Sequence, residues 1–250
     1  MLVLITPAKR LLEEHSNSPV TPTAPDYIAE AAGIVRILRK LSTRQLARLY
    51  YVSDKIAELN HERLVDWSDS HTQKNSFTAL TMFNGDVFRE LDLKAYSDQQ
   101  LEKTQHHLRI ISGLYGILRP FDLVHPYRLE MGTKLNYART AVLSEYWQQP
   151  VAKHINATGH DSVLSLLSNE YRAAVSDSLL NMPVTDVDFK EWRDGKYVTV
   201  GILAKRARGK MLHHLISQGR FDIETVKSFS AEGYSLLDEQ HGLLVFARKR

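Results

Sequence analysis

Short apolar runs alternate with amphipathic stretches from one end of the chain to the other, and this alternation predicts strands interspersed with helices. The run Met1–Ile5 is apolar, rich in β-forming residues and ended by Thr6-Pro7, which is typical of a buried strand. An Asp194-Gly195 pair is a frequent hairpin turn, so the apolar segments on either side of it are predicted to pair. The other predicted strands are Ser162–Leu167, Val184–Phe189, Tyr197–Leu203 and Leu243–Arg248.

Helices are predicted where apolar residues recur every three or four positions behind a capping residue. Ser97 and Gln100 have the spacing of a capping box, and the helix that they open is predicted to run through Leu108 and Ile111 toward Gly113. Further helices are predicted to start at Asp26, Ser42 and Ser53 and to cover Val142–Ile155 and Lys205–Ser217.

The proline-rich stretch Ser16–Pro25 predicts a loop. Because no long linker or internal repeat interrupts the rest, the 250 residues are predicted to form one mixed α/β domain, residues 1–250, in which helices flank a mixed sheet. A hydrophobic fraction of 43% is enough for a sizeable core.

Composition excludes several classes of protein and site. The chain has no cysteine, which excludes disulfides, thiolate catalysis and iron–sulfur clusters. Its longest apolar runs are too short to cross a bilayer, and no basic segment follows Met1, so we expect a soluble, cytoplasmic protein that does not bind membranes. The pairs His106-His107 and His213-His214 are expected to point to different helix faces, and we predict no metal site and no cofactor.

Positive charge is concentrated in one part of the chain. The formal net charge is only +3, yet the window Arg193–Arg220 carries seven Lys and Arg residues against the single Asp194. Cations near a predicted helix start, as in AKRARGK (204–210), are unfavourable unless an anion is bound there. The window therefore predicts a local basic face that would meet a polyanion, although a solvated helix face is the alternative interpretation.

The segment from 108 to 132 combines arginines, aromatic residues and Gly/Pro breakers in a mixture that core packing does not require. Its turn at Gly113 and Gly116 resembles the hairpin of a helix-hairpin-helix module, whose backbone N–H groups hold a phosphate. A purely structural turn is the alternative. The arginines of the segment are Arg109, Arg119 and Arg128, and its aromatic residues include Tyr115, Phe121 and Tyr127.

Two acidic positions accompany these cations. The stretch Tyr127–Met131 alternates so that Arg128 and Glu130 are predicted to be neighbours on one side of a strand. Glu170 lies in the segment SNEY (168–171), which follows a predicted strand at the end where α/β proteins usually bind ligands. A helix cap is the alternative role for SNEY.

Blocks spread over nearly the whole chain form a specific series. The longest are SGLYGILRPFD (112–122) and PYRLEMG (126–132), and the others are TPAK (6–9), SDK (53–55), NGDVF (84–88), SNEY (168–171) and AKRARG (204–209). In this order they resemble the signature blocks of the bacterial YaaA family. The chain has Thr6 where relatives commonly have serine and Arg10 where they commonly have threonine, so the role of that loop stays open.

The resemblance implies a cytoplasmic protein linked to survival of peroxide stress. It also implies a single-domain α/β fold that contains a helix-hairpin-helix element and a positively charged cleft that binds DNA. Carried over to this sequence, the hairpin falls on residues 112–119. The cleft would draw on Lys9, Lys55, Arg119, Arg128, Lys205, Arg206 and Arg208.

The first functional hypothesis is a protective protein that binds DNA largely without sequence preference. Backbone N–H groups of the turn at Gly113 and Gly116, together with the cleft cations, would neutralise phosphates, while Tyr115 or Tyr127 would pack against a sugar or base. Cationic side chains that neutralise phosphates release the counterions condensed on the DNA, so such binding must weaken as the salt concentration increases.

The second hypothesis is an enzyme that acts on a phosphorylated small molecule or a nucleic-acid end in the same cleft. Acidic groups beside cations tune the pKa values that acid–base chemistry needs, although ordinary ion pairs have the same composition. Its candidate catalytic residues are Lys9, Asp54, Lys55, Arg128, Glu130 and Glu170. We favour the first hypothesis. A scaffold acting through a protein partner is a third, which a neutral cleft would favour.

Overall fold

The computed structural model describes residues 1–15 and 18–249. Its strands are β1 (Leu2–Ile5), β2 (Phe77–Thr78), β3 (Leu108–Ser112), β4 (Gly116–Leu118), β5 (Leu123–Val124), β6 (Val163–Leu166), β7 (Val184–Arg193), β8 (Lys196–Val198), β9 (Ser235–Gln240) and β10 (Leu243–Arg248).

Helices of one to five turns connect these strands. They are α1 (Ile28–Leu38), α2 (Thr43–Tyr50), α3 (Asp54–Asp66), α4 (Ala79–Met82), α5 (Asp98–His107), α6 (Leu143–Asn156), α7 (Asn169–Arg172), α8 (Gly201–Gln218) and α9 (Ile223–Lys227). Short 3-10 turns cover Phe88–Glu90, Asp177–Leu179 and Ala231–Gly233.

A mixed sheet with the strand order β4-β3-β1-β6-β7-β10-β9 runs through the molecule, and helices flank it. The five inner strands, from β3 to β10, are parallel, whereas β4, β9 and the short β8 are antiparallel to their neighbours. β2 and β5 form a separate two-stranded sheet. The predicted mixed α/β fold is therefore confirmed.

β1 is the strand around which the sheet is organised. Its four side chains are fully buried, as expected for an inner parallel strand that is covered on both faces. It pairs with β3 on one side, in the register Val3 to Leu108, and with β6 on the other, in the register Leu2 to Val163. The connection after β1 leads to β3 on one side, whereas the connection after β6 leads to β7 on the other. Because these connections diverge, a topological switch point lies between β1 and β6.

Several local predictions are confirmed. Ser42 with Gln45 and Ser97 with Gln100 both form complete capping boxes at the starts of α2 and α5. Asp194 and Gly195 have positive φ values of 49° and 79°, as a tight hairpin between β7 and β8 requires.

The region before α1 differs from its prediction. Asp26 does not cap that helix, which starts at Ile28 without a side-chain cap, because the Asp26 carboxylate instead pairs with Arg119 and His154. Within the predicted loop Ser16–Pro25, residues 18–25 contain no helix or strand, and Ser16 and Asn17 lie outside the described residues.

The helix predicted from Ser97 toward Gly113 ends early, and this corrects the helix-hairpin-helix prediction. α5 stops at His107, and the next residues enter the sheet as β3, which pairs with β4 in the register Ser112 to Gly116. The apolar run 108–112 is buried throughout, and a short buried run suits an inner strand as well as a helix. The turn at 113–115 therefore joins two antiparallel strands.

A second correction concerns the segment after the β7–β8 hairpin. The strand predicted to extend from Tyr197 to Leu203 ends at Val198, and α8 begins at Gly201. Lys205 and the cations that follow it consequently lie beyond the first turn of α8, where the exposed N–H groups of a helix start are no longer available. The helix-start argument for an anion at these residues is therefore wrong.

No helix in the described part of the chain combines the length and the apolar character that a membrane crossing requires.

A histidine that directly follows β5 is buried among other aromatic rings. His125 is almost fully buried and packs against His71, 4.7 Å between ring centroids, and against Trp67. Burial, followed by the proximity of His71, lowers the pKa of His125 to about 4. The folded protein therefore holds this imidazole neutral.

Replacing Gly113 by Ala should destabilise the fold without any backbone strain. A Cβ atom at Gly113 would lie 2.3 Å from the carbonyl oxygen of Leu129, so the β3–β4 turn and the segment beside it would have to separate. Overpacking of this kind lowers the free energy of unfolding by about 1–3 kcal/mol, which urea denaturation measures. Gly201→Ala is the matched control because a Cβ there meets nothing within 4 Å. Equal stability of the two variants would contradict this packing.

His125 should make the protein less stable in acid. Its pKa is about 4 in the folded protein and about 6.5 when unfolded, so the unfolded chain binds more protons between these values and stability is lost as pH falls from about 6.5 toward 4. His125→Gln should therefore show a smaller decrease in Tm between pH 7 and pH 5 than the wild type does, measured by circular dichroism. An unchanged decrease would rule out His125 as a contributor.

Candidate functional site

The switch point between β1 and β6 places two loops side by side at the carboxyl edge of the sheet. Thr6 follows β1 and Ser168 precedes α7, and the Ser168 backbone N–H donates a 2.9 Å hydrogen bond to Thr6 Oγ1. This bond holds the two strand ends together. Ligands of open α/β sheets usually bind in the crevice beyond such paired carboxyl ends.

A cavity of about 720 Å³ lies at this position, and we name it the β1/β6 cavity. The loop after β1, the segment 85–89, the start of α7 and the first turns of α8 form its walls. Its charged lining residues are Lys9, Arg10, Asp86, Arg89, Glu130, Glu170, Asp188, Lys205 and Arg208.

A second cavity, of about 650 Å³, adjoins the first, and we name it the Arg128 cavity. Both cavities are lined by Lys9, Glu130 and Glu170, which form a common wall. Its other charged or polar lining residues come from α2 and from the segment after β5: Gln45, Arg48, Tyr50, Tyr51, Arg128, Thr133 and Lys134.

Glu130 is the most constrained group of the common wall. Its carboxylate accepts a 3.0 Å hydrogen bond from the Tyr171 hydroxyl and lies 3.9 Å from Lys9 Nζ. Burial, reinforced by the negative charge of Glu130, raises the pKa of Tyr171 well above its ordinary value, so the phenol stays protonated and donates. Glu130 is thereby fixed between a neutral donor and a cation.

Glu170 is oriented by the main chain. The Gly132 N–H donates a 2.9 Å hydrogen bond to Glu170 Oε1. The bond ties the start of α7 to the segment that carries Arg128 and Glu130. That segment forms no strand, but its predicted alternation is present, with Leu129 and Met131 buried and Arg128 and Glu130 at the cavity walls.

Among the described residues, no carboxylate forms an ion pair with the Arg208 guanidinium. Its Nε is buried and has no hydrogen-bond partner among the described residues, and the side chain lines the β1/β6 cavity. Burial lowers the pKa of Arg208, while the more distant carboxylates of Asp188 and Asp186 raise it. Removing such a cation from water without pairing it is unfavourable, so the position is suited to an incoming anion.

α8 carries Arg208 at a fixed distance from the opposite wall. The next residue, Gly209, faces the segment 87–90 so closely that a Cβ atom would lie 2.3 Å from the carbonyl oxygen of Val87. The helix therefore packs directly on the main chain that bounds the cavity.

Arg128 occupies the equivalent position in the second cavity. Its Nε is also buried and lacks a hydrogen-bond partner within residues 1–15 and 18–249. Tyr50 on α2 has a buried hydroxyl that is likewise unpaired, and burial raises its pKa, which the charge of Arg128 partly opposes. Two polar groups of this cavity thus have unused hydrogen-bonding capacity.

The charges of the lining are mixed, so the basic cleft that the family resemblance implies is not shown. Five cations and four carboxylates line the β1/β6 cavity. Four cations and two carboxylates line the Arg128 cavity. The positive character is therefore local and lies in individual cations that have no acidic partner.

The two cavities bring together six of the charged residues singled out from the sequence: Lys9, Arg128, Glu130, Glu170, Lys205 and Arg208. They do not include Arg206, which pairs with Glu90 at 2.7 Å and with Glu232 on another side of α8. Asp54 and Lys55, at the exposed start of α3, line neither cavity.

Arg119 is also absent from both cavities. Because β4 runs antiparallel to β3, the chain moves away from the carboxyl edge before it reaches Arg119. There the guanidinium is occupied by Asp122 at 2.9 Å and Asp26 at 3.0 Å. The structure thus places Arg119 in ion pairs outside the two cavities, apart from the other cations expected to form the cleft.

The turn expected to hold phosphate is buried. Gly113 packs under Leu129, Gly116 packs against the Trp147 ring, and the N–H groups of Leu114 and Tyr115 both donate to Ser112 Oγ.

The aromatic residues of the same segment lie in the interior. Tyr115 is fully buried and accepts a hydrogen bond from Trp67 Nε1, and Tyr127 is 8% exposed and bonded to Ser112. All four residues from which contacts with DNA are expected, Gly113, Gly116, Tyr115 and Tyr127, are therefore buried in this fold.

Sequence reasoning missed several residues of the cavities. Arg48 and Tyr50 come from α2, Lys134 follows PYRLEMG, and Asp188 and Thr199, which share a 3.2 Å hydrogen bond, come from the β7–β8 region. Asp188 lies on the less buried face of β7, in step with the alternation of that strand, so the pattern gives no separate signal for it. Nothing in the sequence around Arg48 distinguishes it from other helical cations.

Comparison with known proteins identifies the relationship behind this arrangement. A family model described as "Peroxide stress protein YaaA" matches residues 1–240. The chain belongs to this family. The family assignment made from the sequence blocks is thereby confirmed, and membership supports a role in peroxide stress.

Relatives of the same length support the assignment. A UPF0246 protein of Janthinobacterium sp. (strain Marseille) is 40% identical over 238 residues, which cover 94% of this chain and 92% of the relative. A UPF0246 protein of Aliivibrio fischeri (strain MJ11) is 37% identical over 254 residues, which cover 100% of this chain and 98% of the relative. One of Saccharophagus degradans is 38% identical, with both chains covered completely.

Five of the seven blocks that carry the YaaA resemblance converge at the cavities, and SDK (53–55) does not. TPAK (6–9), NGDVF (84–88), SNEY (168–171) and AKRARG (204–209) contribute lining residues to the β1/β6 cavity, and PYRLEMG (126–132) contributes to both cavities. SGLYGILRPFD (112–122) lies in the interior and supports them through the contact between Gly113 and Leu129.

Proposed function

We propose that this YaaA-family chain acts in peroxide stress, in the cytoplasm, by binding the phosphate groups of DNA in the two adjoining cavities without reading the base sequence. One observation carries the proposal. Each cavity holds an arginine whose buried Nε has no partner in the described residues, Arg208 in one and Arg128 in the other. A guanidinium matches phosphate oxygens with two parallel hydrogen bonds.

Neighbouring cations add to this capacity. Lys205 in the β1/β6 cavity and Arg48 and Lys134 in the Arg128 cavity form no ion pair with any described residue. Together with the two arginines they supply five positive charges that a phosphate backbone could neutralise. The carboxylates of the common wall would lie between phosphates and limit the depth to which the backbone enters.

DNA binding should depend on these arginines and on salt. Arg208→Gln and Arg128→Gln should each weaken binding of a labelled duplex by roughly tenfold, because each removes a charge-assisted contact. If about five phosphates are engaged, the wild-type slope of log affinity against log salt should be about −4 to −5, and each variant should reduce it by about one. Fluorescence anisotropy across a salt series measures both quantities.

Arg206→Gln is the matched control for this experiment. It removes the same charge from the same helix, but Arg206 is paired with Glu90 and lines neither cavity. Its affinity should stay within about twofold of the wild type. A slope near zero for the wild type, or equal losses in Arg206→Gln and Arg208→Gln, would refute binding in the cavities and would favour a scaffold that acts through a protein partner.

A second candidate function is supported by the geometry of Glu130. A carboxylate held between the Tyr171 hydroxyl and Lys9, beside unpaired arginines, has the components of acid–base chemistry on a phosphate-bearing substrate. The substrate would be a phosphorylated small molecule or a nucleic-acid end, and Glu170 on the same wall is the alternative acid or base.

Glu130→Gln separates the two functions. If the chain is an enzyme, this variant should bind DNA with an affinity within about twofold of the wild type, yet it should no longer protect peroxide-challenged cells. The reason is that an amide, unlike a carboxylate, cannot accept and return a proton from the substrate. Glu170→Gln tests the second carboxylate in the same way. Glu62→Gln, on the exposed face of α3, is the control. Full protection by both wall variants would exclude the enzymatic function.

A further inference from the structure

Three histidines meet at the edge of the sheet opposite the cavities. His107 ends α5 immediately before β3, and His160 lies three residues before β6. Because β3, β1 and β6 are parallel neighbours, their amino ends meet at one edge, and the two histidines are brought together there. His160 Nε2 lies 3.1 Å from His107 Nδ1.

His106 completes the group. Its ring centroid lies 4.8 Å from those of both His107 and His160. One ring nitrogen of each residue lies within 4.8 Å of the other two. The prediction that His106 and His107 point to different faces is therefore wrong, because α5 ends at these residues and the third histidine approaches from a separate segment.

We propose that His106, His107 and His160 form a binding site for one divalent transition-metal ion, through three imidazole nitrogens. The fourth coordination position would be left to water. A tetrahedral ion with bonds of 2.0–2.1 Å requires ligand nitrogens about 3.3 Å apart, and the His107–His160 pair is already close to this spacing. His106 is the most exposed of the three, so its ring can rotate to close the remaining distance.

The two inner histidines are held by their surroundings. His160 turns Nε2 toward His107, and its buried Nδ1 has no hydrogen-bond partner in the described chain. His107 Nδ1 lies 2.9 Å from the Met1 carbonyl oxygen, which only accepts, so this nitrogen donates in the metal-free protein, and an ion bound there would displace its proton to Nε2. His107 is further held by its stacking on Phe221, 4.7 Å between centroids. The pair is therefore held in place before any ion binds.

Burial and positive neighbours act on the inner pair. Burial lowers the pKa of His107 and lowers that of His160 to about 4. The Met1 amino group and His106 act on both pKa values in the same direction, as do Lys103 on His107 and Arg109 on His160.

The same surroundings select the class of ion. Asp161, the residue after His160, is exposed and pairs with the Met1 amino group at 3.6 Å. The three ligand atoms of the cluster are imidazole nitrogens, whereas hard cations such as Mg²⁺ and Ca²⁺ require oxygen ligands. Imidazole donors instead favour Zn²⁺, Cu²⁺ and Ni²⁺.

Titration of the untagged, full-length protein with Co²⁺ tests the site directly, since the visible absorption of Co²⁺ reports its coordination number. We expect saturable 1:1 binding with the intense bands of four-coordinate cobalt, and displacement of the cobalt by Zn²⁺. His160→Gln should weaken Co²⁺ binding at least tenfold, whereas His61→Gln on α3, outside the cluster, should leave it unchanged.

His106→Gln gives a second, independent test because this residue is exposed and its replacement should not affect folding. It should also weaken Co²⁺ binding at least tenfold. No saturable binding by the wild type, a weak six-coordinate spectrum, or equal affinities for the wild type and both cluster variants would overturn the proposal.

Discussion

The parallel pairing of β1 with both β3 and β6 is the constraint on which the rest of the molecule depends. β1 is short and entirely buried, so a one-residue shift of its register would exchange the side chains that pack on the two covered faces of the sheet and disrupt both. One edge of this triplet collects the loops that follow the strands, and the other collects the residues that precede them. The cavities and the histidine cluster are thus two outcomes of the same pairing.

Elements with strong local signals could be predicted from the sequence. Ser42 and Ser97 start their helices as capping boxes, and Asp194-Gly195 forms its hairpin, because these signals act through neighbouring backbone atoms. Residues 108–112 were assigned to the wrong element for a physical reason. The apolar run follows α5 with no breaker, and only its partner strand β1, distant in sequence, decides that it is a strand.

The candidate site shows the same division. The blocks around Lys9, Glu130 and Glu170 could be picked out from the sequence, and they do line the cavities. What the sequence could not show was which cations are already neutralised. Arg119 and Arg206 are as basic as Arg128 and Arg208, but carboxylates occupy the first two. Asp122, three residues further on, and the distant Asp26 pair with Arg119, and the distant Glu90 pairs with Arg206. Pairing across the fold, more than composition, separates a structural arginine from one that remains free to bind.

The contact of Gly209 with Val87 has a consequence for how this family can diversify. Main chain touches main chain there, so the gap between α8 and the opposite wall is set by the backbone and is independent of the side chains at positions 205 and 208. Those side chains can change in charge or length while the gap stays constant. A single added methyl group at position 209 would instead push the helix outward and widen the opening for every ligand at once.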